Sequence, residues 1–100
     1  MNVKLADKRV RVLFYGDDFT GASDNAAQYA RHGLRTRLFF TLPTQQVLEQ
    51  AARECDVIGV AGTARSLDVQ GMTQELLPVL QAFAKLQVPL VQYKCCSTFD

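Results

Sequence analysis

Four short apolar segments alternate with three amphipathic segments along this 100-residue chain. The apolar segments are rich in β-branched and aromatic residues, and they predict strands at residues 10–15, 35–40, 57–61 and 89–94. The segments between them carry apolar residues at helical spacing and predict helices at about 22–32, 44–55 and 68–86. A βαβαβαβ order of this kind folds into an α/β domain, with an open parallel sheet and helices on both faces.

Two details refine this α/β prediction. The third strand is apolar throughout, so we expect it in the middle of the sheet, covered on both faces. The third helix contains Pro78, which predicts a kink there or two abutting helices. Its buried face should consist of Met72, Leu76, Val79, Leu80 and Phe83.

In an open parallel sheet, ligands bind where the carboxyl ends of the strands meet. Three loops should therefore converge at one edge: residues 16–24, 62–67 and 94–100. They contain nearly all the polar residues whose grouping suggests chemistry. The last loop leads toward an element that the sequence does not include, so we expect a piece of a longer protein or a chain completed by a partner.

The first loop places Asp17 and Asp18 directly after a strand. Such carboxylates can accept hydrogen bonds from sugar hydroxyls, hold Mg²⁺ through water or take a proton from an attacking hydroxyl. Thr20 and Gly21, at the expected helix start, are predicted to contact the same ligand, since glycine permits close approach. The alternative is structural: Asp18 or Thr20 caps the helix, and Asp24 in its first turn complements the dipole.

The second loop contains Arg65 and Ser66 after the central strand. An arginine here can bind a carboxylate through two parallel hydrogen bonds, which would explain an acidic substrate. Equally, Arg65 can pair with one of the neighbouring aspartates while Ser66 or Asp68 caps the next helix.

The third loop follows Lys94 and includes Ser97 and Thr98. The ammonium of Lys94 and the hydroxyls of the other two residues could bind phosphate or carboxylate oxygens. Alternatively, Lys94 only extends to solvent from the end of the sheet. Cysteine catalysis is disfavoured because His32, the one histidine, belongs to the far end of the first helix.

Composition excludes several classes of partner. Eleven basic and ten acidic residues give a net charge of +1 without a basic stripe, which argues against nucleic acid and anionic membranes. The three cysteines have neither zinc spacing nor the even count of a disulfide framework, and no metal site is assigned. We expect a cytoplasmic protein with a small-molecule partner, and the sequence leaves homo-oligomer formation open.

The segments GDDFTGASD, GTARSLD and YKCCSTFD resemble, in order and spacing, the N-terminal domain of the four-carbon acid sugar kinases. The resemblance implies ATP-dependent phosphorylation of the terminal hydroxyl of a threonate, erythronate or 3-oxo-tetronate type of acid. It also implies that residues 1–100 form the substrate-binding domain, with ATP and Mg²⁺ bound mainly by a separate C-terminal domain. Substrate-site roles transfer by position to Asp17, Asp18, Arg65, Ser66, Lys94, Ser97 and Thr98.

One departure from the family pattern concerns Cys96, which stands where many members have an acid. No carboxylate role transfers to that position, and the Cys-Ser-Thr-Phe-Asp form is closer to the 3-oxo-tetronate kinase branch. The resemblance implies that Arg65 holds the substrate carboxylate while Asp17 and Asp18 orient its hydroxyls. The general base is left open between Asp17, Asp18 and a residue of the other domain.

Two other functions compete with a kinase. A receiver-like phosphotransfer module also uses acids after its first strand, but it needs an acceptor aspartate after the third strand, where this chain has Ala61-Gly62-Thr63. A non-catalytic ligand-binding fragment is the second alternative. We expect the 100-residue chain alone to be inactive as a kinase.

Overall fold

The computed structural model describes residues 9–62, 68–88 and 90–94. Its elements follow the order β1 (Val12–Gly16), α1 (Phe19–Arg31), β2 (Thr36–Phe39), α2 (Gln45–Glu54), β3 (Val57–Ala61), α3 (Val69–Leu86) and β4 (Leu90–Lys94). All strand pairs are parallel and the sheet order is β2-β3-β1-β4. The predicted α/β fold is confirmed, and β3 is an inner strand that is buried along its whole length.

The helices cover both faces of the sheet. On one face, Phe14 of β1 packs with Ala22 and Tyr29 of α1, and the rings of Phe14 and Tyr29 stack with centroids 6.0 Å apart. On the other face, Leu48 of α2 and Phe83 of α3 belong to the larger core. Alternate residues of β1 and β3 supply these two cores, as the two-residue period of a strand requires.

The helix starts are set by capping side chains. Thr44 Oγ1 accepts the Val47 N–H at 3.3 Å, and α2 begins directly after it, as predicted. Asp18 caps α1, which therefore starts at Phe19, earlier than the apolar spacing had indicated. Asp24 consequently lies in the second turn of α1 and is exposed, so its predicted place in the first turn was wrong.

The third helix, α3, runs without interruption through Pro78, which is exposed. The alternative of two abutting helices is thus not what the chain adopts. Val79 and Phe83 are buried as predicted, whereas Leu80 is 46% exposed, so its assignment to the buried face was wrong. No helix in the described part of the chain, α3 included, is long and apolar enough to cross a membrane.

Asp56 connects the starts of the strands at the amino edge of the sheet. Its Oδ2 accepts the backbone N–H of Arg35 at 2.9 Å, and its Oδ1 accepts Nε–H of Arg9, also at 2.9 Å. The hydrogen bond from Arg35 and, after it, the Arg9 guanidinium hold the pKa of Asp56 below its ordinary value, although partial desolvation opposes them. This carboxylate has a structural role, far from the strand ends where ligands bind.

Candidate functional site

The carboxyl ends of three strands lie side by side, as the loop positions predicted. In the register of the sheet, Gly16 of β1 pairs with Ala61 of β3 and with Lys94 of β4. The N–H of Gly62 donates to the carbonyl oxygen of Gly16 at 2.9 Å, which joins the β1 and β3 ends beyond the strands themselves. Arg65, Ser66, Ser97 and Thr98 lie outside the described residues, and Lys94 is described only as the last residue of β4.

The chain leaves β1 and β3 toward opposite faces of the sheet. The segment after β1 leads into α1 on one face, whereas the segment after β3 leads to α3 on the other. Because β1 and β3 are neighbours, a crevice opens between their carboxyl ends. This topological switch point is the position at which open α/β sheets bind small molecules.

A cleft of about 290 Å³ lies at this switch point, on the face covered by α2 and α3. Its size is close to the lower end of the range for small-molecule sites, about 300 Å³. Phe19 and Phe40 stand at its exposed rim with their rings edge to face, 5.7 Å between centroids. The full lining comprises Tyr15, Phe19, Phe40, Thr41, Leu42, Val60, Ala61, Gly62, Glu75 and Val79.

Neither Asp17 nor Asp18 is among the residues that line the cleft, although Phe19, which follows them directly in sequence, lies at its rim. Asp18 is half-buried and its Oδ1 accepts the Gly21 N–H at 2.6 Å, so the predicted capping role is confirmed. Asp17 is only 6% exposed and is the buried charged residue among those described. Thr20 is exposed on the first turn of α1, beside half-buried Gly21.

A tyrosine and a glutamate that sequence reasoning had missed meet inside the cleft. The hydroxyl of Tyr15 donates to Glu75 Oε2 at 2.6 Å. Gly62 leaves the room for this pair, because a Cβ at that position would collide with both side chains. A signal was present in the sequence: Glu75 interrupts the apolar face of α3 between Met72 and Val79.

The loop after β2 also belongs to the cleft, although only three loops were predicted to converge. Phe40, Thr41 and Leu42 contribute to its wall. Nothing in the sequence indicated this wall, because the loops were predicted from polar side chains at strand ends and this segment is mostly apolar. Within the described residues, the cleft is therefore an apolar pocket with a few polar groups, the usual composition of a small-molecule site.

Histidine and cysteine lie away from the cleft in the part of the chain that the structure describes. His32 caps the C-terminus of α1, with Nδ1 2.8 Å from the Gln28 carbonyl oxygen, and Cys55 is buried at the end of α2. Both positions are at the amino edge of the sheet, as predicted for His32. Across residues 9–62, 68–88 and 90–94, no group of three or more His, Cys, Asp or Glu side chains could hold a metal ion.

Residues 12–100 match the family described as the sugar-binding N-terminal domain. The chain is 40% identical over 89 residues to the 3-oxo-isoapionate kinase of Paraburkholderia graminis, covering 89% of this chain and 19% of that protein. It is 33% identical over 84 residues to the 3-oxo-tetronate kinase of Pseudomonas fluorescens, covering 84% of this chain and 19% of the relative. It is 31% identical over 91 residues to the 3-oxo-tetronate kinase of Escherichia coli, covering 91% of this chain and 22% of that kinase. The chain thus spans about a fifth of the length of these relatives, and the resemblance inferred from its three motifs is confirmed.

Proposed function

The chain belongs to the family of sugar-binding N-terminal domains, and from this premise we propose that it is the substrate-binding domain of an ATP-dependent sugar-acid kinase. The observation that carries the proposal is the cleft at the switch point, beside the GDDFTG segment by which the family resemblance was found. Similarity to kinases named for 3-oxo-isoapionate and 3-oxo-tetronate supports the same assignment.

The substrate we propose is a small sugar acid of the 3-oxo-tetronate type. A volume of about 290 Å³ suits a molecule of four or five carbons and is small for a nucleotide. We assign the binding of ATP and Mg²⁺ mainly to a second domain of the full-length protein. We propose that the full-length protein is cytoplasmic. Within the described residues of this chain, the lining offers aromatic and aliphatic surface together with one carboxylate and two hydroxyls.

In the mechanism that we propose, residues of this chain bind and orient the sugar acid. Arg65 holds the substrate carboxylate through two hydrogen bonds. Asp17 and Asp18 orient the hydroxyls, and the Gly21 N–H fixes the direction of the Asp18 carboxylate. We assign further contacts with the substrate to Thr20, Gly21 and Ser66, and to Lys94, Ser97 and Thr98 of the third loop.

The chemical step is an attack of the terminal hydroxyl oxygen on the γ-phosphorus of ATP. The new P–O bond forms as the bond to ADP breaks, and the hydroxyl proton passes to Asp17, to Asp18 or to a base of the nucleotide domain. ATP would supply the phosphoryl group, and Mg²⁺ bound with it would neutralise the charge of that group. The contribution of this chain is to position the hydroxyl and, when the domains close, to exclude water from the donor.

The carboxylate clamp can be tested by thermal shift on the full-length protein with threonate, erythronate and 3-oxo-tetronate. We expect at least one acid to raise the melting temperature of the wild type, and Arg65→Ala to weaken its binding by about tenfold or more, because a charge-assisted bidentate contact is lost. Arg53→Ala, on the exposed side of α2, is the control and should respond as the wild type does. An unchanged response in Arg65→Ala would contradict the assigned role of Arg65.

A further inference from the structure

We infer that Glu75, held by Tyr15, accepts hydrogen bonds from the hydroxyls of the sugar acid and sets the direction in which that acid enters the cleft. The inference rests on the proposed function and deepens it. It adds a specificity-determining carboxylate on α3, a helix that none of the motifs had implicated in binding.

The Tyr15–Glu75 pair is held rigidly against the sheet. Tyr15 is 2% exposed, so its ring is fixed by the core, and its hydroxyl reaches Glu75 Oε2 at 2.6 Å. Gly62 lies against both side chains without a Cβ to displace them. Since α3 is anchored nearby by buried Val79, the glutamate is fixed from the helix as well as through its carboxylate.

A carboxylate in this environment selects for a hydroxyl donor. The other described lining residues are mostly apolar, so hydroxyl groups that enter the cleft exchange water for the acceptors available there. A carboxylate can accept several hydrogen bonds at once, which suits a ligand with adjacent hydroxyls. Glu75 therefore provides a hydrogen-bonding position that the apolar walls do not.

The same negative charge determines the orientation of the ligand. A sugar acid carries its own carboxylate at one end, and two carboxylates a few ångströms apart repel each other. The hydroxylated end of the acid therefore faces Glu75 and the carboxylate points away from α3. The exposed rings of Phe19 and Phe40 at the rim offer apolar surface to the carbon chain between these ends.

Glu75→Gln tests the inference because the Kd of the sugar acid should change differently according to whether Glu75 binds the ligand or only repels it. If Glu75 accepts hydroxyls, the neutral amide weakens a charge-assisted contact, and the Kd of the sugar acid rises by about tenfold or more. If Glu75 is only a nearby charge, its removal relieves repulsion of the anionic ligand, and the Kd stays the same or falls. The measurement is calorimetric titration of the full-length protein with threonate, erythronate and 3-oxo-tetronate, alongside the KM and kcat of any acid that is phosphorylated.

Two further variants separate binding from folding. Tyr15→Phe keeps the core but removes the hydrogen bond from Tyr15 to Glu75, so the Kd should rise by about threefold to tenfold. In steady-state kinetics the change should appear mainly in KM rather than in kcat. Combined with Glu75→Gln it should add little, because the two residues act as a unit. Glu49→Gln on α2, outside the cleft lining, is the matched control and should bind as the wild type does.

The outcomes distinguish this inference from the proposed function. A wild type that neither binds nor phosphorylates any sugar acid contradicts the proposed function, and the inference fails with it. Suppose instead that the wild type binds and phosphorylates a sugar acid, but that the Kd is unchanged or lower in Glu75→Gln and unchanged in Tyr15→Phe. That result contradicts the inference and leaves the proposed function standing. If Glu75→Gln lowers the melting temperature strongly, the inference is judged on Tyr15→Phe alone: a raised Kd supports it and an unchanged Kd contradicts it.

Discussion

Asp18 and Asp68 have the same structural task at the starts of two different helices. Asp18 Oδ1 accepts the Gly21 N–H at 2.6 Å on α1, and Asp68 Oδ1 accepts the Gly71 N–H at 2.8 Å on α3. Serine caps a helix about as well as aspartate does. Replacing each aspartate by serine therefore preserves the cap, while it removes the charge and the second carboxylate oxygen.

We predict that Asp18→Ser and Asp68→Ser each change the free energy of unfolding by no more than about 1 kcal/mol, because the cap is kept and only the interaction of the charge with the helix dipole is lost. Only Asp18→Ser should lower kcat/KM for the sugar acid, by about tenfold or more, because it removes an acceptor for the substrate hydroxyls. The measurement combines unfolding and steady-state kinetics on the full-length protein. Equal kinetics in the two variants would mean that Asp18 serves only as a cap.

How much of the site could be predicted depended on the distance in sequence between the interacting residues. Capping by Asp18 and by Asp68 joins residues three positions apart, so local sequence rules were sufficient. The Tyr15–Glu75 pair joins residues 60 positions apart, and no local rule links them. Such a contact depends on the packing of α3 over β1, which is known only once the fold is known.

At the scale of secondary structure elements, Asp56 fastens the amino ends of the strands. Its side chain accepts from Arg35, just before β2, and from Arg9, ahead of β1, while its carbonyl oxygen accepts the Arg11 N–H at 2.8 Å. Asp56 itself directly precedes β3. One residue therefore connects three strand starts, at the edge opposite the cleft.

Asp56→Asn should destabilise the fold in a pH-dependent way. The pKa of Asp56 is lowered in the folded state, so its stabilising contribution is present above the ordinary value of 3.8 and is lost as the pH falls through the folded-state pKa. We expect the variant to lose about 1 kcal/mol at pH 7, and we expect this deficit to be smaller at pH 3.

Urea unfolding of the full-length protein at pH 7, 5 and 3 measures this difference, with Asp24→Asn on the exposed side of α1 as the control. The control should follow the wild type at each pH. A deficit in Asp56→Asn that is the same at pH 3 as at pH 7 would contradict the assigned role of the charge.

The elements themselves followed from the sequence pattern more closely than their boundaries did. β3 was predicted at its observed residues because a continuous apolar run has clear ends. The start of α1 was missed because a cap, rather than apolar spacing, sets it. Leu80 illustrates a second limit: the apolar arc of α3 is wider than the surface that the sheet offers, so some of its leucines remain exposed.

For the whole molecule, strand order is the feature that sequence alternation left undetermined. Alternation predicts parallel strands, but the insertion of β3 between β1 and β2 depends on which face each helix covers. That order creates the switch point and hence the cleft. The buried residue at the end of β3 is Ala61, which has no side-chain oxygen, so the acceptor carboxylate of a receiver-like module has no counterpart at this position.

The most direct test of the central claim is the sugar-acid-dependent release of ADP by the full-length protein. The protein is given ATP, Mg²⁺ and one acid at a time, and the acids tested are 3-oxo-tetronate, 3-oxo-isoapionate, threonate and erythronate. Phosphorus NMR identifies the product. We predict that at least one acid gives one phosphate ester for each ADP released. ADP release that does not depend on any of the acids, or phosphorylation of the protein itself by acetyl phosphate, would contradict the claim.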